Sequence, residues 1–518
     1  MTTTVSNPAL IHRPARIAAL KTLALRWHRW LALAGAVAVL TWAVSGGLHL
    51  LATITGPAQA VFYPPQQPLD LGSSLPIDQI LARHDIRRAN SLQIVAGAAG
   101  RLLQVTEDPF EPRRYFDLET GNERPWYDRE HALFLAQHYL GVNLPADEIR
   151  FVTEFSDRYP WVNRLLPVWR IAFDNGDGLV AYVHTETNAL ASLTDRAHTR
   201  LQLGFQWLHT WSWMPRLAEP LRVTVMALLV GSIFAMALTG LGLLLTIRRK
   251  QRARGARGIH RLAAWVLAIP LLMFSGSGLF HLVQMALAPA QSHLRLADPV
   301  SMQEPLFDLS GQWQNLTDGL AVNAVSLVEA GAGERLLRLG LDTRRQAGPQ
   351  GANAIREARF QGIPTTGPAI YLDAATGEAW PQGDRELALR FAERHTGHER
   401  SRVADITLIN RFGNGYDFRN KRLPVWRIDY QAPYNESVFI DTHGAVLVDR
   451  MAHSRWIEQW SFTFLHKWNF LRPLGREIQN RVLLAVVVSV IGLIGGLGLY
   501  MEIKRRRRRP GSLAPTPG

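Results

Sequence analysis

The sequence predicts a membrane protein with four transmembrane α-helices and two α+β domains outside the membrane. Three observations lead to this fold class. The chain of 518 residues contains four long apolar runs, its basic residues cluster on one side of those runs, and its two halves repeat each other. An apolar helix of about 20 residues is long enough to cross the hydrocarbon core of a bilayer.

The four apolar runs are predicted as transmembrane helices because each is long and nearly free of charge. They cover residues 30–51, 223–247, 262–288 and 482–501. The first run does not end in the small-residue cleavage site of a signal peptide. We therefore interpret it as a retained span.

The basic residues predict the orientation of the chain. They cluster in the N-terminal segment 1–29, in the short link 248–257 and in the tail 502–518. Since Lys and Arg are retained on the cytoplasmic side, we expect these three segments in the cytoplasm. Segments 53–220 and 289–480 would then be periplasmic domains of a bacterial inner-membrane protein. The net charge of +14 follows this pattern and does not predict a nucleic-acid partner.

An internal duplication organises the chain. The motif LPVWRI occurs twice, with Trp169 and Trp426 separated by 257 residues, and His209 and His466 keep the same separation. YFDLETG and YLDAATG recur at an offset of 256. Each half reads as span, outer domain, span, so the halves are predicted to be parallel repeats related by a pseudo-two-fold axis along the membrane normal.

The outer domains are predicted to be α+β. The segments YFDLETG, AYVHTETNA, YLDAATG and VFIDTHGA each resemble a strand followed by a turn that contains Gly or Asn. LPVWRI has the β-branched and aromatic content of a strand. Residues 127–140 and 384–395 have the apolar spacing of helices.

Two of the predicted spans carry a matching pair of histidines. His28 and His49 lie 21 residues apart in the first, and His260 and His281 are 21 apart in the third. In a helix this spacing corresponds to about 31 Å along the axis and about 60° around it. Each helix would therefore carry one imidazole near each membrane face. Two such helices could form two bis-imidazole sites at different depths, which is what transmembrane electron transfer through two b-type haems requires.

The pairing of these rings follows from the predicted symmetry. We expect His28 to pair with His260 on the inner side and His49 with His281 on the outer side. His209 and His466 form an alternative outer pair, and a mixed pair such as His49 with His466 stays open. A chain without cysteine cannot attach haem covalently, so histidine must hold any haem.

Simpler interpretations of the histidines remain. His28 and His260 could be interfacial cationic anchors. His49 and His281 could be polar residues bonded to a neighbouring helix, although the glycines before them would leave room for a flat macrocycle. His209 and His466 could belong to an aromatic belt, hold a third haem or gate access.

Several other residues have a structural and a functional interpretation. Trp169, Trp426, Tyr159 and Tyr416 are expected to pack in the domain cores. The Arg-rich insert near residues 335–365 could attract an anionic chelate or be a solvated loop. Its arginines are Arg335, Arg338, Arg344, Arg345, Arg356 and Arg359.

The chain resembles the PepSY-associated transmembrane family over residues 20–505. The resemblance is carried by HRW at His28, GIHRLAAW at His260, the LPVWRI strands, the D-x-x-TG turns and the LHxW elements. It implies PepSY-type outer domains and a role associated with iron uptake, since some members are ferric-siderophore reductases with two b-type haems. The PepSY module alone is associated with inhibition of peptidases.

These observations predict a haem-dependent oxidoreductase that reduces a ferric siderophore or another ferric chelate in the periplasm. No nucleotide or flavin fingerprint is present, so the electron donor would be external, either a quinol or a reductase. The alternative is a non-enzymatic membrane-anchored protein that binds a peptide or peptidase. A permease is disfavoured because no charged residue lies near the middle of a span.

Overall fold

The structure is a computed structural model. It describes residues 12–65, 67–98, 100–214, 218–247, 255–287, 294–310, 317, 321–341, 352–362, 369–413 and 415–507. The chain forms two compact units. The helical unit comprises residues 1–55, 200–290 and 457–518, and the sheet unit comprises residues 56–199 and 291–456.

The described α-helices are numbered in chain order. They are α1 (His12–Thr55), α2 (Ile77–Arg83), α3 (Tyr127–Leu140), α4 (Arg196–Phe205), α5 (Glu219–Thr246), α6 (Ala256–Leu287), α7 (Ala352–Gln361), α8 (Gly383–Thr396), α9 (Trp456–Ser461), α10 (Arg476–Ser489) and α11 (Leu497–Arg507).

The prediction of four helices long and apolar enough to cross a membrane is confirmed. They are Ala34–Thr55 within α1, Glu219–Thr246, Ala256–Leu287, and Arg476–Arg505. Each begins or ends within a few residues of the predicted run. Small and branched side chains such as Ala38, Ile233 and Leu267 pack between these helices in one apolar core.

Three short π-helical segments interrupt the helical unit. They are Gln206–Thr210, Phe462–His466 and Val490–Gly496. The first contains His209, the second ends at His466, and the third lies inside the fourth long helix. A π-helical turn changes the backbone bonding register and is often found at functional sites. Two of these segments contain a predicted site residue, His209 or His466, which indicates that the candidate site lies near them.

The described strands are all antiparallel and belong to the sheet unit. They are β1 (Arg88–Ala89), β2 (Ser91–Gly97), β3 (Gly100–Thr106), β4 (Arg114–Asp117), β5 (Ala146–Val152), β6 (Val168–Phe173), β7 (Val180–His184), β8 (Ala189–Thr194), β9 (Val300–Ser301), β10 (Val322–Gly331), β11 (Glu334–Leu341), β12 (Ile370–Asp373), β13 (Val403–Ile409), β14 (Val425–Tyr430), β15 (Glu436–Asp441) and β16 (Val446–Ala452).

A six-stranded sheet joins the two outer segments of the chain. Its order is β12-β11-β10-β2-β3-β4, so the centre is the pairing of β2 with β10. Ile94 lies opposite Val325 and Leu92 opposite Leu327 in this pairing. One apolar core includes side chains from both segments. The segments predicted as two separate domains therefore form one compact unit.

Two four-stranded sheets have the same meander order, β5-β6-β7-β8 and β13-β14-β15-β16. Helix α3 packs on the first through Ala132, Leu135 and Ala136. Helix α8 packs on the second. Both helices end at a glycine with positive φ, Gly141 at 68° and Gly397 at 71°. Such a left-handed cap is the usual way to stop a helix where the chain must turn back.

Matching polar contacts hold these layers together. The carboxylate of Asp128 accepts hydrogen bonds from Trp169 Nε1 at 2.6 Å and from the Tyr115 hydroxyl at 2.9 Å. Asp384 accepts from Trp426 Nε1 at 2.6 Å in the same way. The tryptophans are therefore structural, as expected. Tyr159 and Tyr416 are also buried, and their hydroxyls donate to the carbonyls of Leu165 and Arg422.

Two details differ from the expectations. Residues 200–220 and 457–480, predicted as parts of the outer domains, belong to the helical unit because they pack against the long helices. Arg335 and Arg338 lie on β11 rather than in a solvated loop. Arg335 donates to backbone carbonyls 301, 304 and 305, and Arg338 to the Tyr371 hydroxyl, so neither is available to a chelate. Residues 344–345 lie outside the described residues, and positions 356 and 359 lie on α7.

Candidate functional site

The helical unit brings the six predicted histidines into two groups. Helix α1 contains both His28 and His49, and α6 contains both His260 and His281. His28 and His260 are close enough to interact electrostatically, and we call them the inner pair after their predicted side. The outer group consists of His49, His209, His281 and His466, and its members also interact electrostatically with one another.

Backbone carbonyls hold the inner pair. His28 Nδ1 lies 3.0 Å from the carbonyl oxygen of Met236 on α5. His260 Nδ1 lies 3.2 Å from the carbonyl oxygen of Leu493 in the third π-helical segment. A carbonyl only accepts, so both rings must donate their Nδ1–H.

Serine hydroxyls hold two rings of the outer group. His209 Nδ1 lies 2.9 Å from Ser45 Oγ on α1, and His466 Nδ1 lies 3.2 Å from Ser277 Oγ on α6. Each serine donates its own proton to a carbonyl of its helix. Ser45 donates to residue 42 at 3.0 Å and Ser277 to residue 273 at 2.6 Å. Each serine oxygen thus contacts a carbonyl of its own helix and the Nδ1 atom of one imidazole.

A carboxylate holds one further ring. His281 Nδ1 donates to Oε1 of Glu458 on α9. The side chain of Glu458 is only 16% exposed and that of His281 is 38% exposed. His49, at the corresponding position of α1, contacts the ring of Phe205 with centroids 4.8 Å apart.

Five rings are bonded through Nδ1, namely those of His28, His209, His260, His281 and His466. The carbonyl acceptors of His28 and His260 fix the proton of these two rings on Nδ1. Within the residues that the structure describes, the Nε2 atoms of the five rings have no hydrogen-bond partner. A neutral imidazole whose Nδ1–H is anchored is the usual form of a metal-ligating histidine. These rings are thus arranged to offer Nε2 to a metal centre.

Aromatic stacking fixes the planes of the outer rings. Phe205 contacts both His49 and His209, with centroids 4.8 and 4.7 Å apart. Phe462 contacts His281 and His466 at 4.6 and 4.9 Å. Such ring contacts restrict rotation about χ2, so each of the four imidazoles has a defined orientation.

Glycines leave space beside the histidines. A Cβ at Gly46 would meet no atom within 4 Å, and one at Gly278 would lie 3.6 Å from His466 Cε1. A Cβ at Gly240 would lie only 3.0 Å from His28 Cε1. Gly240 is therefore required for the close approach of α5 to the His28 ring.

The described histidines of the sheet unit use both ring nitrogens. Nε2 makes a hydrogen bond in His84, His131, His138, His184, His395, His398 and His443. Nδ1 contacts a threonine hydroxyl in His184 and His198, and it contacts Arg338 in His443. Burial lowers the pKa of His131. Burial and the neighbouring Arg338 lower the pKa of His443 to about 4. Burial thus keeps His131 and His443 neutral near pH 7.

The sequence located the six histidines but missed their partners. Ser45 and Ser277 stand four residues before His49 and His281, inside the SGG and SGSG runs. Their repetition at a separation of 232 residues was the signal that could have found them. Glu458 has no such signal, because the corresponding position in the first half is Leu201. Haem binding by these rings, and their pairing, stay predictions.

The chain was compared with known proteins. No protein-family model matches it, and no curated protein matches it significantly.

Proposed function

We propose that the protein transfers electrons across a bacterial inner membrane through about two b-type haems and reduces a ferric siderophore or related ferric chelate in the periplasm. The observation that carries this proposal is the shared bonding of five histidines, each held through Nδ1 and each with Nε2 without a partner among the described residues.

The inner pair would supply both ligands of one haem. The outer haem would be held by His49 and His281, with His209 and His466 as the alternative pair. The Nε2 atoms of the oriented rings would bind the haem iron, and the open space at Gly46 would leave room for the haem ring. A haem bound in this way supplies a one-electron redox centre.

The charges support an orientation with the inner pair in the cytoplasmic half of the bilayer. Arg26 and Arg29 flank His28, and Arg257 and Arg261 flank His260. Basic residues at these helix ends favour the cytoplasmic side. The sheet unit would then lie in the periplasm, where a bulky chelate can reach it.

We also propose that the chain arose by duplication and belongs with the PepSY-associated transmembrane proteins. Support comes from the matching meanders and from the matching tryptophan–aspartate bonds, Trp169 with Asp128 and Trp426 with Asp384. The carbonyls that hold the inner pair, at Met236 and Leu493, are again 257 residues apart.

The reaction needs one electron for each ferric ion. A quinol that loses two electrons and two protons would serve two ferric chelates, and a reductase could deliver the electrons singly. Reduction to Fe²⁺ releases the metal because the hard oxygen ligands of a siderophore hold Fe²⁺ much more weakly than Fe³⁺. The chain's residues need only hold the redox centres and exclude water, and no proton-transfer residue is required.

Haem content is the first test. Protein purified from haem-replete cells is expected to contain b-type haem at about two per chain in a pyridine haemochrome assay. Dithionite-reduced protein should then be reoxidised under anoxia by a ferric hydroxamate or catecholate, with Fe²⁺ captured by a chromogenic chelator. Folded protein without haem would refute the proposal. If several ferric chelates do not reoxidise the reduced haem, the proposed iron substrate is refuted, but the proposal of electron transfer through haem still stands.

A further inference from the structure

The outer group is asymmetric at one position. His281 on α6 donates its Nδ1–H to Glu458, whose side chain is 16% exposed. The position that corresponds to Glu458 in the first half holds Leu201, which cannot accept a hydrogen bond. The other anchored rings, both inner and outer, donate to neutral oxygens. Among the five anchored rings, His281 alone donates to an anion.

An anionic acceptor changes what the ring can do. A carboxylate that accepts the Nδ1–H draws that proton away from the ring and raises the basicity of Nε2. A more basic axial ligand stabilises Fe³⁺ relative to Fe²⁺ and lowers the reduction potential of the iron that it binds. Neutral carbonyl and hydroxyl acceptors do this more weakly, because charge-assisted hydrogen bonds are about twice as strong.

We propose that Glu458 is a positioning residue that acts through His281 and makes the haem bound by His281 the more reducing of the two. This inference rests on the proposed function and deepens it. Ferric chelates have low potentials, so the centre that delivers the electron benefits from a low potential of its own. The feature lies in the outer group, which would face the chelate.

A nearby cation contacts the ring of Phe462, whereas Glu458 contacts the imidazole itself. Lys467 Nζ lies 4.9 Å from the centre of the Phe462 ring, and that ring stacks on His281. The ammonium group is thus placed against an aromatic face. The carboxylate, in contrast, bonds directly to the imidazole.

The test compares matched variants of the full-length, haem-loaded protein in lipid nanodiscs. Glu458→Gln keeps an oxygen acceptor and removes the charge, and Glu458→Leu installs the residue of the first half. Glu477→Gln is the control, since Glu477 is an exposed acid of the helical unit that pairs with Arg481. For each protein the haem-to-protein ratio, a spectroelectrochemical titration and the low-spin ferric EPR spectrum are recorded.

Both Glu458 variants are expected to retain haem at the wild-type ratio, to raise the midpoint potential of one component and to change the g-values of that component only. Glu477→Gln should change neither. Two unshifted components in Glu458 variants with full haem content would overturn the role of Glu458 and leave the proposed function standing. Wild-type protein without haem would overturn both.

Discussion

The two units of this protein differ in how their histidines use Nε2. In the helical unit rings such as His28 and His466 are bonded through Nδ1, and within the described residues no bond to Nε2 is found for them. In the sheet unit Nε2 is bonded in rings such as His131 and His395, although Nδ1 is also used in His184 and His198. The comparison shows that Nδ1 bonding alone does not mark a ligand, and that the state of Nε2 is the feature that separates the two sets.

The two units therefore use their histidines differently. In the helical unit, carbonyls and hydroxyls of neighbouring helices orient the imidazole rings. The sheet unit uses its histidines to complete buried hydrogen-bond networks, such as that of His443 with Gln93 and Arg338. Substitutions in the helical unit should therefore change haem binding, whereas substitutions in the sheet unit should change stability.

Removal of an inner ligand should have the largest effect. His28→Ala and His260→Ala are each expected to lose one of two haems and to leave the spectrum of the other intact, because an iron with one protein ligand is held weakly. Haem quantitation on purified protein measures this. His138→Gln is the control from the sheet unit, since His138 Nε2 donates to the backbone carbonyl of residue 63. Full haem content in well-folded His28 and His260 variants would refute the inner site.

Removal of a serine hydroxyl that contacts an outer histidine should have a smaller effect on haem binding than removal of an inner histidine. Ser45→Ala and Ser277→Ala release the Nδ1–H of His209 and His466. If these rings are ligands, loss of such a supporting partner is expected to weaken haem binding about 10- to 100-fold. Competition with apomyoglobin gives the change in affinity. Ser232→Ala is a matched control, because Ser232 bonds only to the carbonyl of Leu229 in its own helix. Unchanged affinity in both variants would favour His49 and His281 as the outer ligands.

The sheet unit should lose stability in acid. The pKa of His443 is lowered to about 4, chiefly by burial, against about 6.5 in the unfolded chain. Between these values the unfolded chain binds a proton that the folded chain excludes. The contribution is therefore complete above pH 6.5 and is lost progressively as the pH falls toward 4. Thermal unfolding from pH 7 to pH 4 should show this slope, and His443→Gln should reduce it. An equal slope in the variant would contradict the assignment.

Addition of a methyl group at Gly240, beside His28, should have the smallest effect on haem binding. Gly240→Ala places a Cβ about 3.0 Å from His28 Cε1, so the ring must shift by a few tenths of an ångström. We expect a modest loss of inner haem affinity and a small shift in its Soret band. Gly242→Ala, on the same helix, meets nothing within 4 Å and is the control. Identical spectra for the two variants would mean that α5 can move away from His28.

The sequence predicted what depends on local pattern. The apolar runs gave the four long helices, and the spacing of His28 with His49 placed both rings on one helix. What it could not predict depends on contacts between distant segments. The tautomers depend on acceptors such as Met236, 208 residues from His28. The pairing of β2 with β10 places Ile94 opposite Val325. The residue pattern of a strand does not indicate which other strand it pairs with.

The pairing of β2 with β10 also has a consequence for how the protein is made. When residues 56–199 have been synthesised but residues 321–341 have not, β2 has an unpaired edge. An open strand edge of this kind readily pairs with other chains, and contacts between such distant segments form slowly. The sheet unit can be completed only after residues 291–456 have been synthesised. Until then the first half of the unit depends on protection of that edge.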